Sequence, residues 1–331
     1  MFSKQIFLAS ITKHAIHFVV LRKEKQQLSI EHASQLPLSL DEEKDFFSLD
    51  EVGKKAIHKH IASFSHPKKL HLILPHEYFR FLFVPQGGRK KGKKHLRKML
   101  VQSLGKEGKE SLLKYGFEYD ILPNTKESVI AFRLLPKSLF ERIEGHFQSL
   151  GLHIESFHSD IAQYEWFLRK EFVLPFFHFH FGEEKSFLNY HLSSIPYIRE
   201  QKFSFSQESL FQVYRAHSLP EEEYNRILSE KGLFFGEEFE QFHRPIEKIL
   251  NPLTQFLLDR AVKGNMYVTS YELLPKYLLY FLERHTGAEV KSVCIFDLLK
   301  KKDEVDGILH IHREKDKIFA PLLVRAIFLV K

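Results

Sequence analysis

Hydrophobic and polar positions alternate in the same way along two distant stretches of this chain. Residues 5–34 read QIFLASITKHAIHFVVLRKEKQQLSIEHAS, and residues 176–203 read FFHFHFGEEKSFLNYHLSSIPYIREQKF. Each has three short apolar segments joined by two polar turns, which predicts a β-meander with side chains alternating between faces. The pattern between and after them changes period. Asp50-Glu51 opens a predicted helix with Val52, Ala56, Ile57 and Ile61 on one side. Residues 69–75 and 79–85 read as strands, as do 115–122 and 128–135, the latter two joined by a Pro-Asn turn. Leu139, Ile143 and Phe147 recur every four residues in a helix over 136–150, and Gly151 stands where a helix cap is expected. A strand at 153–157 and a helix at 161–170 lead into the second meander.

The second half adds more helix. A long helix is expected over 236–263, broken or kinked by Pro245 and Pro252. A strand at 266–269, a helix at 275–285 stopped by Gly287, a strand at 289–292 and a terminal helix complete the reading. Strands and helices alternate in both halves, which argues an α/β class. A chain of 331 residues is long for one core, and domains of ~50–250 residues imply at least two. No low-complexity linker separates the halves.

Composition adds little beyond exclusions. The net charge of +7 permits an anionic partner but is not the bias of a dedicated nucleic-acid binder. One cysteine, Cys294, excludes an intramolecular disulfide and a cysteine-based zinc site, and its apolar neighbours make it a small buried hydrophobe rather than a nucleophile. No apolar run approaches the ~20 residues that span a bilayer. No Walker A, G-x-S-x-G or H-E-x-x-H motif occurs.

With these segments in order, the chain resembles the actin-like proteins, and most closely the PilM family of type IV pilus assembly proteins, whose fold is like FtsA. It is also similar to the cytoplasmic part of GspL-type proteins of type II secretion. The residues carrying the resemblance are SVIAFRLLPKSLFERIEGHFQSLGLHIESFHSDIAQYEWFLRK at 128–170 and MYVTSYELLPKYLLYFLERHTGAEV at 266–290. The resemblance implies a two-lobed actin-like fold, a duplicated RNase H-like plan with an inserted β/α subdomain. The expected division is a first lobe at 1–170, an SHS2-like insertion at about 45–157, and a second lobe at 171–331.

In nucleotide-binding members of this fold, the first turn of each meander carries Asp-x-Gly and small residues, so that backbone N–H groups approach phosphate unobstructed. Ser10 and Thr12 stand there in the first meander, followed by Lys13 and His14. His180 and Gly182 stand there in the second, followed by Glu183 and Glu184, and only Gly182 fits the motif. A Gly-Gly pair that makes room for adenosine is replaced by Ser270 and Tyr271. These departures predict no catalysis and no cofactor, with residual binding of ATP and magnesium as the alternative. The expected role is a cytoplasmic scaffold of the inner-membrane platform of a type IV pilus or type II secretion system. Its implied partners are a PilN-like or GspM-like single-span membrane protein and a secretion ATPase. Strands rich in Phe, such as 79–83, are candidate acceptors for a partner peptide.

Two further features stand apart from this reading. Arg89, Lys90, Lys91, Lys93, Lys94, Arg97 and Lys98 form a run without an acid. It is a solvated face or a patch for anionic lipid or a partner, and the nucleic-acid-binding alternative lacks an accompanying aromatic pattern. His178 and His180, like His310 and His312, lie two apart on expected strands. No third ligand is clustered with either pair in sequence, so no metal site is assigned.

Overall fold

The computed structural model describes residues 4–12, 15–24, 27–37, 51–62, 69–85, 92–105, 113–122, 129–191, 199–216, 240–258, 264–270, 274–275, 278–294, 305–306 and 322–325, with a few single residues besides. The chain divides into two compact units. The first comprises Met1–Leu168, Phe296–His312 and Ile318–Lys331, and the second Arg169–Ile295 and Arg313–Lys317.

The first unit is built on a six-stranded sheet. Strands β1 (Lys4–Ile11), β2 (Ala15–Glu24) and β3 (Gln27–Pro37) form an antiparallel meander. On the other side of β1, β4 (Lys69–Leu74) and β8 (His153–Ser159) add in parallel. Helix α1 (Glu51–Ala62) connects β3 to β4, and its Ile57 is buried with Ile16, Phe18 and Leu70. At the far edge, β14 (Val305–Asp306) pairs in parallel with β3.

A small β/α subdomain is inserted between β4 and β8. Its sheet has the order β5 (Arg80–Pro85), β7 (Val129–Pro136), β6 (Tyr115–Leu122), all antiparallel. Helix α2 (Lys93–Ser103) lays Leu96 and Leu100 against Ile130, Phe132 and Leu134 of β7. Helix α3 (Lys137–Ser149) follows β7 and buries Leu139, Ile143 and Phe147, the four-residue repeat read from sequence. It ends as the glycine predicts. Gly151 takes φ +78°, its N–H donates to Gln148 C=O, and Leu152 N–H reaches back to Phe147 C=O.

The second unit repeats the sheet plan. Strands β9 (Phe176–Phe181), β10 (Ser186–His191) and β11 (Arg199–Phe203) form the antiparallel meander. β12 (Asn265–Ser270) and β13 (Val290–Ser292) add in parallel beside β9. Phe177, Phe179 and Phe181 face a core shared with helices α5 (Gln207–Arg215), α6 (Glu240–Leu258) and α7 (Leu278–Thr286). Helix α4 (Asp160–Glu171) precedes this unit's meander in the chain.

Several expectations are corrected here. The insertion does not span 45–157: α1 joins β3 to β4, and both β4 and β8 belong to the main sheet, so the inserted residues lie between those strands. The second lobe does not run to 331, because β14 pairs with β3 and the terminal segments go with the first unit. Pro245 and Pro252 do not divide α6, which runs through both. Each removes a backbone hydrogen bond at a cost of ~3 kcal/mol. The fully buried row Ile246, Leu250, Leu253 and Leu257 offsets this through core packing. Cys294 is half-buried rather than fully buried.

Candidate functional site

The first meander turn closes on itself. Thr12 N–H donates to Ala15 C=O at 2.9 Å, and Ala15 N–H donates back to Thr12 Oγ1 at 3.3 Å. The Thr12 hydroxyl also lies 3.2 Å from Ala15 C=O. Ser10, just before the turn, is buried at the β1 position facing His17 of β2. Burial pushes the His17 imidazole down to about 4, partly offset by its bond to the Ser10 backbone. Lys13 and His14 lie outside the described residues.

The second meander turn is closed by a different element. Gln207 N–H, at the start of α5, donates to Gly182 C=O at 3.1 Å, and Glu208 N–H donates to Glu183 C=O at 2.8 Å. Ser209 N–H goes to the Ser206 hydroxyl, and the Ser209 hydroxyl accepts from Ser206 N–H, a reciprocal capping box. A helix N-terminus is an anion site only while its N–H groups are available. In α5 the turn carbonyls and the cap occupy them. Gly182 has its own structural reason to be glycine: a Cβ there would stand 2.2 Å from Lys185 C=O. Glu183 is half-buried and Glu184 exposed.

The structure brings His180, Gly182 and Ser270 together at one end of neighbouring strands. Thr269 pairs with His180 and Ser270 with Phe181 across β12 and β9. Gln207 Nε2 donates to Ser270 Oγ at 3.3 Å, so the same residue touches both the turn and the end of β12. Tyr271 lies outside the described residues.

His178 and His180 point to one face, as their spacing requires, and share a hydroxyl. Thr269 Oγ1 is 2.7 Å from His178 Nε2 and 2.9 Å from His180 Nδ1. A hydroxyl has one proton to give, so at most one ring accepts from Thr269 and at least one donates to it. The i, i+2 spacing that suggested a chelate thus sets both rings on one hydroxyl. His191, on the neighbouring strand, has its Nδ1 3.4 Å from Arg169 Nη1. His310 and His312 lie outside the described residues. Thr269, Gln207 and Ser206 are the residues that sequence reading missed. Only the Ser206–Ser209 spacing offered a signal, that of a capping box.

The basic run divides. Lys94, Arg97 and Lys98 are exposed on α2, whereas Arg89, Lys90, Lys91 and the Lys93 side chain lie outside the described residues. Among the described residues the candidate acceptor strand, β5, is an edge of the inserted sheet with β7 on one side. An aromatic row runs along it. Phe83 stacks on Phe81 at 6.3 Å, Phe81 on His76 at 4.6 Å, and Phe79 lies 6.0 Å from both Phe81 and Phe157 of β8. Phe79 is buried, while Phe81, Leu82, Phe83 and Val84 are half-buried.

No family profile and no curated protein matches the sequence. Solved structures do. A chain of a PilM–PilN type IV pilus biogenesis complex aligns over 97% of this chain and 98% of its own, with a TM-score of 0.65 at 13% identity. The ethanolamine utilization protein EutJ from Carboxydothermus hydrogenoformans aligns over 99% of this chain and 91% of its own, with a TM-score of 0.50 at 11% identity. The cytoplasmic domain of EpsL, from the type II secretion system of Vibrio cholerae, aligns over 82% of this chain and 84% of its own at 10% identity, with a TM-score of only 0.38. With the repeated strand order of its two units, the chain has the actin-like α/β fold and is PilM-like in that fold.

Proposed function

We propose that this protein is a non-catalytic scaffold. In this reading it works in the cytoplasm, at the inner-membrane platform of a type IV pilus or type II secretion machine. A short cytoplasmic segment of a PilN-like or GspM-like single-span protein holds it there, and it binds no nucleotide cofactor. The observation that carries the reading is the β5 edge with its half-buried aromatic row. An edge strand presents a column of backbone donors and acceptors, and an extended peptide pairs with it while alternate side chains fill pockets. The whole-chain likeness to a PilM–PilN complex supports a membrane-protein peptide as the occupant.

The closed turns support the absence of catalysis. Phosphate binding at the second turn would have to displace the bonds from Gln207 and Glu208. It would also meet Glu183 and Glu184, at a cost on the order of 1 kcal/mol or more for each carboxylate near a phosphate. Two measurements test the proposal. Melting with excess Mg-ATP is expected to leave Tm unchanged, because only a ligand of the native state raises it. A shift of several degrees would make the chain a divergent ATPase. The synthetic N-terminal peptide of a single-span protein encoded beside this chain is expected to bind by calorimetry, and Phe81→Ala with Phe83→Ala to abolish binding. Unchanged affinity in that double variant would move the peptide site elsewhere.

A further inference from the structure

The basic face of α2 has a chemistry that a peptide-binding edge does not use. α2 is amphipathic: Leu96 and Leu100 are buried on β7, and Lys94, Arg97 and Lys98 stand exposed on the outer side. Their i, i+3, i+4 spacing gathers them on one stripe of the helix. None of the three has an ion-pair or hydrogen-bond partner among the described residues. No acidic residue occurs between Glu77 and Glu107 in the sequence, so the stripe lacks even a local counter-charge. Other exposed helix faces mix signs: α1 pairs Lys54 with Glu51, and α3 pairs Lys137 with Glu141. A one-sign face repels itself, which singles this helix out.

We infer that the outer face of α2 docks on an anionic phospholipid surface, with Lys94, Arg97 and Lys98 meeting headgroup phosphates. The apolar side of α2 is already spent on the subdomain core, so the helix cannot insert and offers only a row of cations on long stems. Such a row suits a flat, laterally mobile layer of anions. Single-stranded nucleic acid calls instead for aromatic platforms beside the cations. The exposed residues described on α2 are Lys94, His95, Arg97, Lys98, Gln102 and Ser103, with no Phe, Tyr or Trp among them. The contact is purely electrostatic and falls off within a Debye length of about 10 Å at 0.1 M salt. It is independent of the β5 peptide site and stands or falls without it.

The test is co-sedimentation of the full chain with vesicles of phosphatidylglycerol and phosphatidylcholine. Binding is expected at low salt, absent on pure phosphatidylcholine, and lost in about 0.5 M salt. The triple variant Lys94→Gln, Arg97→Gln, Lys98→Gln is expected to lower the partition coefficient about five-fold per charge, on the order of a hundred-fold in all. A control triple removes the same charge from exposed positions elsewhere, Lys55→Gln, Lys59→Gln and Arg215→Gln, and is expected to lose far less. Melting of each variant verifies folding, and single neutralisations give the same ranking if a triple is unstable. Three results would each overturn the proposal: no binding to anionic vesicles, equal losses in the two triples, or tighter α2-dependent binding to a short RNA or DNA than to vesicles.

Discussion

The two meanders close their first turns by opposite means. In the first, Thr12 and Ala15 exchange bonds within the turn itself. In the second, α5 supplies donors from outside, and the turn is so tight that position 182 has no room for a Cβ. Apart from β14, which the first sheet adds at its edge, the sheets behind them have the same order and the same mix of antiparallel and parallel neighbours. One architecture thus tolerates two solutions at the place where an actin-like protein would hold phosphate. Among the described residues, the N–H groups of Thr12, Ala15, Gln207 and Glu208 all donate to protein oxygens there. A buried or half-buried turn must pair its polar groups somehow, and these two do it with different partners.

The comparison breaks most sharply at Gly182. Gly182→Ala sets a methyl 2.2 Å from a backbone oxygen, with no flexible side chain to move aside. The turn must open, and the bonds from Gln207 and Glu208 go with it. The expected loss is about 4 kcal/mol, beyond the usual ~1–3 kcal/mol of overpacking, read as a fall in the urea midpoint. If Gly182→Ala costs nothing, the turn is not held as described and the contrast between the meanders fails.

A second break uses acid. His17 is buried in the first meander, and its pKa falls from 6.5 to about 4, so the native state favours the neutral ring. The depressed value sets the sign. The stabilisation is complete above the unfolded value of 6.5 and is lost as pH falls toward 4, because only the unfolded chain takes up the proton in that window. The slope approaches 1.4 kcal/mol per pH unit and sums to roughly 3 kcal/mol. His17→Phe is expected to flatten the pH dependence of stability between 6.5 and 4. An unchanged profile would mean that another group carries it.

How much of this was legible in the sequence differs between the meanders and their turns. The strands were legible because burial of one sheet face forces alternation, and Phe177, Phe179 and Phe181 against His178 and His180 display it plainly. Gly151 was legible because a left-handed cap leaves few choices. Gly182 was read from sequence as the one residue that fits the phosphate motif, and the structure adds a steric reason for glycine there that no local pattern encodes, the approach of Lys185 C=O. The partners of a turn come from residues about 25 positions away, such as Gln207, and no local pattern encodes such pairings. The return of the chain end to the first unit was hidden for a similar reason. β14 is two residues long, too short for a period to register, and its place is fixed only by pairing with Leu28 and Ser29.

The smallest test is the one that sharpens the contrast. Thr12→Ala removes the hydroxyl that accepts from Ala15 N–H but leaves the bond from Thr12 N–H to Ala15 C=O. Thr12 is half-buried, so water can replace part of what is lost, and about 1 kcal/mol is expected. Thr12→Ser keeps the hydroxyl and should recover most of it. The first turn is then a local clasp whose loss the rest of the sheet survives, whereas the second is locked by a helix and fails as a unit. The two readings separate in hydrogen exchange as well as in Tm. Thr12→Ala should speed exchange at Ala15 and leave β2 and β3 protected, while Gly182→Ala should release α5 together with its turn. If Thr12→Ala deprotected its whole sheet, the first turn would be as structural as the second, and the asymmetry between the two halves would be one of sequence alone.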